Sequence, residues 1–188
     1  MNLSLFKGER IYFDAFNPDK DAEIEAQWTH DTEYLRLLDI DPARPLSTHQ
    51  VKKKYEEMEK DAIAHKPHFY FALRTVADDR LVGFATVRWI DWSHGCGWLQ
   101  MGIGRPEDRG QGYGTEALRL ALRYAFHELN LYRLSMYTSE YNPAAIHFLQ
   151  RAGFTIEVRR RQLLQRDGRR YDALVMGILR EEWQRREA

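Results

Sequence analysis

The sequence holds a single cysteine, Cys96, so no intrachain disulfide can form and a reducing, cytoplasmic setting is expected. No apolar run approaches the ~18 residues of a membrane span. The opening MNLSLFKGERIYF has no basic start leading into an apolar stretch, so no signal peptide is expected. Net charge is missing as well. Lys and Arg number 28 against 28 for Asp and Glu, so no global basic field exists to hold nucleic acid or an anionic membrane. No repeat, low-complexity segment or Pro/Gly/Ser-rich linker divides the 188 residues, and one domain is expected. Two well-known phosphate loops are absent too. No Gly-Lys pair precedes Ser or Thr, and no G-x-G-x-x-G follows a first strand.

What is present is an ordinary globular balance, 44% hydrophobic and 30% charged. Arg10 to Asp14 reads as a strand, and Asp21 to His30 and Thr48 to His65 as helices. The second helix carries Val51, Tyr55, Met58 and Ile63 at roughly helical spacing. Phe69 to Arg74 and Leu81 to Ile90 read as strands around an Asp78-Asp79 turn. Trp92 to Gly97 reads as a hairpin connection into an antiparallel partner, Trp98 to Ile103. Thr115 to Leu129 is the clearest helix, with Leu118, Ala121, Leu122, Ala125 and Leu129 on one face. Arg133 to Thr138 is a strand. Pro143 to Arg151 is a short helix with Asn142 as N-cap and Gly153 as a left-handed C-cap. Phe154 to Leu164 and Tyr171 to Leu179 are strands joined at Arg166-Asp167-Gly168. This order predicts an α+β fold, a mixed, mostly antiparallel twisted sheet flanked by helices.

The stretch RGQGYGTEAL, Arg109 to Leu118, is the chemical centre of the sequence. Glycine costs backbone entropy and adds nothing to a core, so Gly110, Gly112 and Gly114 serve a turn, a close approach, or both. They lie where a strand turns into a helix. First-turn N–H groups have no intrahelical acceptor, and the helix dipole adds partial positive charge, so the arrangement suits an anion such as phosphate.

Arg109 to Gly114 resembles the R/Q-x-x-G-x-G/A acyl-CoA signature of the GNAT superfamily of N-acetyltransferases. A second block, Asn142-Pro143-Ala144-Ala145-Ile146 through Ala152-Gly153-Phe154, is similar to that superfamily's N-x-x-A…G-F block. The C-terminal run from Asp167 to Trp183 looks like the branch containing ribosomal-protein N-terminal and spermidine acetyltransferases. The resemblance implies acetyl-CoA as donor, a primary amine of a peptide or small molecule as acceptor, and no metal. It implies that N–H groups around Gly110, Gln111, Gly112, Tyr113, Gly114 and Thr115 hold the pyrophosphate, with Arg109 shaping the loop. Met101, Gly102 and Ile103 would pair with the pantetheine arm as an added strand. A backbone N–H beside Gly102 would hold the oxyanion. Asn142 would bond the arm near the thioester, beside Phe148. Arg151 would reach the nucleotide end. No membrane or nucleic-acid partner is implied, and self-association into a homodimer stays open.

Many relatives place an acidic tyrosine seven residues after the block's Asn. Here Leu149 stands there, and Tyr141 is the substitute candidate. Relatives often carry a glutamate base where Leu99 stands, so Asp91, His94 and Glu140 become the candidates. These two departures leave a non-catalytic acetyl-CoA sensor as a rival. Cys96 with His94 is too small a pair for a site. The arginines at 159, 160, 161, 166, 169 and 170 fit a solvated sheet edge better than a nucleic-acid surface. Trp89, Trp92 and Trp98 read first as core, with an acceptor-pocket wall as the sharper option. Asp31, Glu33, Asp39 and Asp41 could attract a cationic acceptor.

Overall fold

The computed structural model describes residues 4–63 and 68–187. Seven strands form one sheet: β1 (Ile11–Asp14), β2 (Phe69–Thr75), β3 (Leu81–Asp91), β4 (Cys96–Ile103), β5 (Arg133–Ser139), β6 (Thr155–Arg166) and β7 (Arg169–Leu179). Their order is β1-β2-β3-β4-β5-β7-β6. Every pair is antiparallel except β4–β5, as the mixed, mostly antiparallel expectation requires. The helices are α1 (Pro18–Trp28), α2 (Thr32–Leu38), α3 (Thr48–Ile63), α4 (Tyr113–Arg123), α5 (Pro143–Arg151) and α6 (Arg180–Glu187). The His65 end expected for the third helix lies outside the described residues. Among the described residues no helix is long and apolar enough to cross a membrane.

The main core lies between the sheet and α4. Leu118, Ala121, Leu122 and Ala125, from the apolar stripe of that helix, are buried against Val82, Ala85, Val87, Leu99, Leu134, Met136 and Met176. Beyond Arg123 the helix continues as a π-helical turn, Tyr124–Glu128. The opposite sheet face is covered by α1, α2 and α3. Trp28 and Tyr34 pack there with Ala72 and Leu81, and Val51 and Tyr55 pack with Ala22 and Ala26.

Two short helices are absent from the sequence reading. α2 spans only seven residues, too few for a periodic signal, but Asp31 supplies an N-cap by accepting from the Tyr34 N–H at 3.0 Å. α6 carries Glu181 and Glu182 in its first turn and Arg185 and Arg186 in its last, the dipole-matched charge order. The tryptophan expectation needs correction. Trp89 and Trp92 are 53% and 56% exposed, so neither is core. Backbone geometry explains Trp89. Its φ is +50°, beside a register shift between Arg88 and Asp91. That bulge turns the ring outward from the ladder. The late arginines behave as expected. β6 is an edge strand, and Arg159 pairs with Asp172 at 2.7 Å.

The α1 side is tied to the sheet by a buried ion network. Asp21 is fully buried and accepts two bonds from Arg74 Nη2, at 2.9 and 2.8 Å. Arg74 Nε also donates to Asp14 at 2.9 Å, and the Asn17 N–H donates to Asp21 at 2.7 Å. Removing Asp21 leaves the buried Arg74 with only the half-exposed Asp14 as partner. Asp21→Ala is therefore expected to lower unfolding free energy by about 3–5 kcal/mol, read as a shifted urea midpoint.

Candidate active site

β4 and β5 pair over only three residues, Cys96↔Arg133, Gly97↔Leu134 and Trp98↔Ser135, and then part. β4 continues to pair with β3 on its other side as far as Ile103. The alternation of that ladder fixes which groups are left over. Gly104 donates its N–H to Val82 C=O at 2.9 Å, in a register that also sets Gly102 opposite Phe84 and Gln100 opposite Thr86. In an antiparallel pair, bonded residues alternate with ones that turn their N–H and C=O the other way. Met101 and Ile103 therefore point their backbone groups into the parted gap. Gly102 points its own toward β3.

A cavity of about 590 Å³ fills the gap. On the α4 and α5 side it is walled by Met101, Ile103, Gly114, Ala144, Ala145 and Phe148, and on the α2 side by Arg36, Asp39, Arg88, Trp89, Trp98 and Tyr137. Trp98 stacks on Tyr137 with ring centres 4.8 Å apart, and Trp89 meets Trp98 edge-on at 6.1 Å.

The glycine loop opens onto this cavity at Gly114. Gly110 and Gly112 have φ of +76° and +87°, the left-handed region where glycine is needed. Gly112 is the N-cap of α4, without a side-chain cap, and its carbonyl takes the first helical bond from Glu116. The N–H groups of Tyr113, Gly114 and Thr115 thus have no intrahelical acceptor. A Cβ on Gly110 would meet nothing within 4 Å, and one on Gly114 would only touch Ile103. Among the described residues only Arg10 approaches the loop here, with Nη1 3.0 Å from where a Cβ on Gly112 would stand. Gly102 is different. A Cβ there would come within 3.1 Å of both Leu38 and the Tyr34 hydroxyl, so its bare backbone is what lets α2 close on the sheet.

Three clamps hold the loop in place. Arg109 donates to the carbonyls of Ile103 at 3.3 Å and Gly104 at 2.7 Å, and pairs with Asp31 at 3.1 Å. Asp108, buried, takes a two-pronged pair from Arg80 at 2.8 and 2.9 Å. Arg10 Nη1 donates to the Gln111 carbonyl at 2.7 Å. The shaping role expected of Arg109 has this direct geometry. Gln111 and Thr115 are exposed beside the cradle, and Tyr113 is half-buried against the core.

α2 is held at both ends. Asp31 caps its start and receives Arg109. Its last carbonyls accept from three side chains: Arg36 from the Tyr141 hydroxyl at 2.6 Å, Leu37 from Asn142 Nδ2 at 3.4 Å and Leu38 from Gln100 Nε2 at 3.4 Å. Asn142 Oδ1 also accepts from the Ala145 N–H at 3.0 Å. Its carboxamide is thus engaged at both ends, binding α5 to α2, rather than standing free for the pantetheine arm. Tyr141 lines the cavity with its proton directed at a carbonyl.

The other candidates are dispersed. Asp91 forms the β3–β4 turn by accepting from the N–H groups of Ser93 and His94, at 3.0 and 3.2 Å. Both Asp91 and His94 are exposed and neither lines the cavity. Glu140 faces β7, accepting from the Asp172 N–H at 3.0 Å, and Arg159 lies 3.6 Å away. Arg151 is exposed at the end of α5 and also stands off the cavity. Cys96 Sγ donates to the His94 carbonyl, not its ring. Leu149 and Leu99 are buried in the core. Of the four acidic residues near α2, only Asp39 lines the cavity, with Gln100 Nε2 at 3.1 Å from its Oδ2. Sequence reasoning names Asp39 among four acidic residues that could attract a cationic acceptor and gives it no catalytic role. Its signal was position alone, just past a helix that had not been found. Thr138 adds a buried hydroxyl on the wall with no partner.

The chain belongs to the acetyltransferase (GNAT) domain family, whose model matches residues 10–155. It is similar to the probable N-acetyltransferase YjcK of Bacillus subtilis (strain 168), 31% identical over 185 residues, 95% of this chain and 86% of that protein. It is 26% identical to the spermidine N(1)-acetyltransferase of Vibrio cholerae over 155 residues, 79% of this chain and 89% of that one. The solved spermidine N-acetyltransferase from Vibrio cholerae in complex with CoA and spermine shares the fold. Its TM-score is 0.78 at 22% identity, over 93% of this chain and 98% of that chain. The protein is an acetyl-CoA-dependent N-acetyltransferase.

The Asp31 carboxyl is held below the usual carboxylate range, first by the Tyr34 N–H; burial opposes this, and the hydrogen bond and charge of Arg109 add to the lowering. A depressed folded value gives stability that is whole above about pH 4 and is lost as pH falls through the folded value. Asp31→Asn keeps a capping oxygen and loses the ion pair. Its urea midpoint should fall less than the native one between about pH 5 and pH 3.

Proposed function

We propose that the cavity binds the acetylated pantetheine arm of acetyl-CoA on its α4 and α5 side and a small primary amine on its α2 side. The observation that carries this is Met101, whose N–H and C=O face the gap left by the parted strands. An extended amide chain laid there completes the ladder in β-strand fashion. The first-turn N–H groups at Tyr113, Gly114 and Thr115 suit the pyrophosphate. Arg109 supports that loop from behind, and Phe148 walls the arm. The spermidine acetyltransferase relatives act on a small amine, and the aromatic, half-enclosed α2 side suits a molecule of that size. A free Cys96 fits a reducing, cytoplasmic setting.

Chemistry follows from the placement. An alkylammonium has a pKa of about 10, so it must lose a proton before its nitrogen can attack the thioester carbonyl. Asp39 is the carboxylate on the cavity wall and takes that proton, directly or through water. Asp91 and Glu140 are bound to other work, and the exposed His94 stands off the cavity. As the C–N bond forms, the carbonyl oxygen becomes an oxyanion facing the Met101 N–H, a donor worth about 3 kcal/mol in such sites. The C–S bond then breaks, CoA leaves as thiolate, and the nitrogen releases its second proton to solvent to give the neutral amide. A thiol pKa of about 8.5 lets it depart without full protonation, which accommodates Leu149 at the family's acid position.

Two outcomes are expected. Gly114→Val adds bulk where the fold has room, so stability should change by no more than about 1 kcal/mol. Acetyl-CoA binding, measured by calorimetric titration, should weaken at least about tenfold, since the methyls occupy the cradle. Unchanged binding would remove the donor site from this cavity. Asp39→Asn should lower kcat on an amine panel by about 100-fold or more with little change in acetyl-CoA KM. Asp91→Asn, His94→Gln and Glu140→Gln should stay near native rates in the same thiol-release assay.

A further inference from the structure

The α2 side of the cavity holds three cations that differ in what they can still bind. Arg36 is paired with Asp167 at 2.9 Å, and Arg109 with Asp31 at 3.1 Å. Arg88 has no carboxylate within 4.0 Å and no side-chain hydrogen bond among the described residues, and its Nε is buried without a partner. The guanidinium is held 4.2 Å from the centre of the Trp89 ring. Consecutive strand residues ordinarily point to opposite faces. Arg88 and Trp89 nonetheless line one cavity, because the left-handed Trp89 and the register shift after Arg88 re-aim them. Backbone strain of this kind persists where the surrounding structure enforces it, and it clusters at ligand sites. A buried guanidinium edge left unpaired is costly, so the arrangement calls for an acceptor group from outside the chain.

Resting on the assignment of this side to the acceptor, we propose that the acceptor is a small amino acid-like molecule, whose carboxylate binds Arg88 while its amine faces Asp39 and the thioester. One free guanidinium supplies one charge, which suits a carboxylate better than a doubly charged phosphate. Its planar fork matches carboxylate geometry. A polycation is a poor fit. Among the described residues Asp39 is the single acidic residue on the wall, against the unpaired charge of Arg88. Trp98 and Tyr137 provide an apolar face for the side chain of such an acceptor.

Matched acceptors test this with the native enzyme: phenylalanine and methionine, their carboxamides, and spermidine, all at saturating acetyl-CoA. The free acids should exceed the carboxamides and spermidine in kcat/KM by at least about tenfold, because a site built for a charged group rejects the analogue lacking it. Arg88→Met, which keeps the length and the contact with Trp89, should erase that difference while leaving the acetyl-CoA KM unchanged. Equal or faster turnover of the carboxamides or spermidine overturns the proposal, as does an acid preference that survives Arg88→Met. A titration independent of turnover separates this from the broader reading. N-acetylphenylalanine should bind the CoA-saturated protein at least about tenfold tighter than its carboxamide. If no amine reacts but this preference holds, the catalytic assignment fails and the Arg88 site stands. If the acid binds no better than the carboxamide, or does not bind, the Arg88 site fails whatever the turnover.

Discussion

Everything at the site depends on the parting of β4 from β5. A sheet that stops pairing in its middle leaves main-chain donors and acceptors turned into the interior, and buried backbone groups need partners. Here Met101 and Ile103 carry the deficit. Arg109 meets part of it by donating to the Ile103 carbonyl. Met101 is left for a ligand. The sheet around the gap is continuous on both flanks, so the cleft is held open by the ladders beside it: β3 with β4 on one side, β7 with β5 on the other.

The second dependence runs through α2. This helix has only seven residues, with Tyr34, Leu35 and Leu38 packed in the cluster around Trp28 and Leu81, and it forms one wall of the cavity. Its ends explain how it stays there. Arg109 of the donor loop holds Asp31 at its start, and Gln100, Tyr141 and Asn142 hold its last carbonyls. Gly102 lets it lie directly on β4. The donor loop and the acceptor wall are therefore parts of one hydrogen-bonded frame. Displacing Arg109 would disturb both sides together, although it touches the reaction on neither.

The contrast between what was legible and what was not has a physical basis. The strands and α4 were readable because burial imposes periodicity, as the stripe from Leu118 to Ala125 shows. The glycine loop was readable because positive φ at Gly110 and Gly112 and an open cradle at Gly114 restrict residue choice locally. Asn142 and Gly153 were readable as caps for the same reason, since each acts within a few residues of itself. α2 was not, because its stability comes from distant partners: Asp31 and Arg109 are 78 residues apart, Tyr141 and Arg36 105. The catalytic candidates suffered most. Asp91 and Glu140 were chosen for nearness in sequence to the motifs, but strand alternation and turn geometry aim them elsewhere. Asp39 reaches the cavity only because α2 delivers it there.

This division also explains why the donor was easier to infer than the acceptor. The proposed donor site is built from main-chain groups, at Met101 and at the start of α4, whose geometry needs a strand, a glycine loop and a helix in fixed order. Such a site leaves a short, contiguous trace. The proposed acceptor side is built from side chains contributed by α2, β3, β4 and β5, most of them far apart in sequence, with Arg36 and Arg109 paired and Arg88 without a carboxylate partner among the described residues. Arg36 and Arg109 are neutralised by partners that only the folded chain supplies. Under the proposed assignment, specificity on this side resides in a difference, the Arg88 guanidinium that has no carboxylate partner among the described residues, and such a difference exists only after the neighbouring charges have found their places.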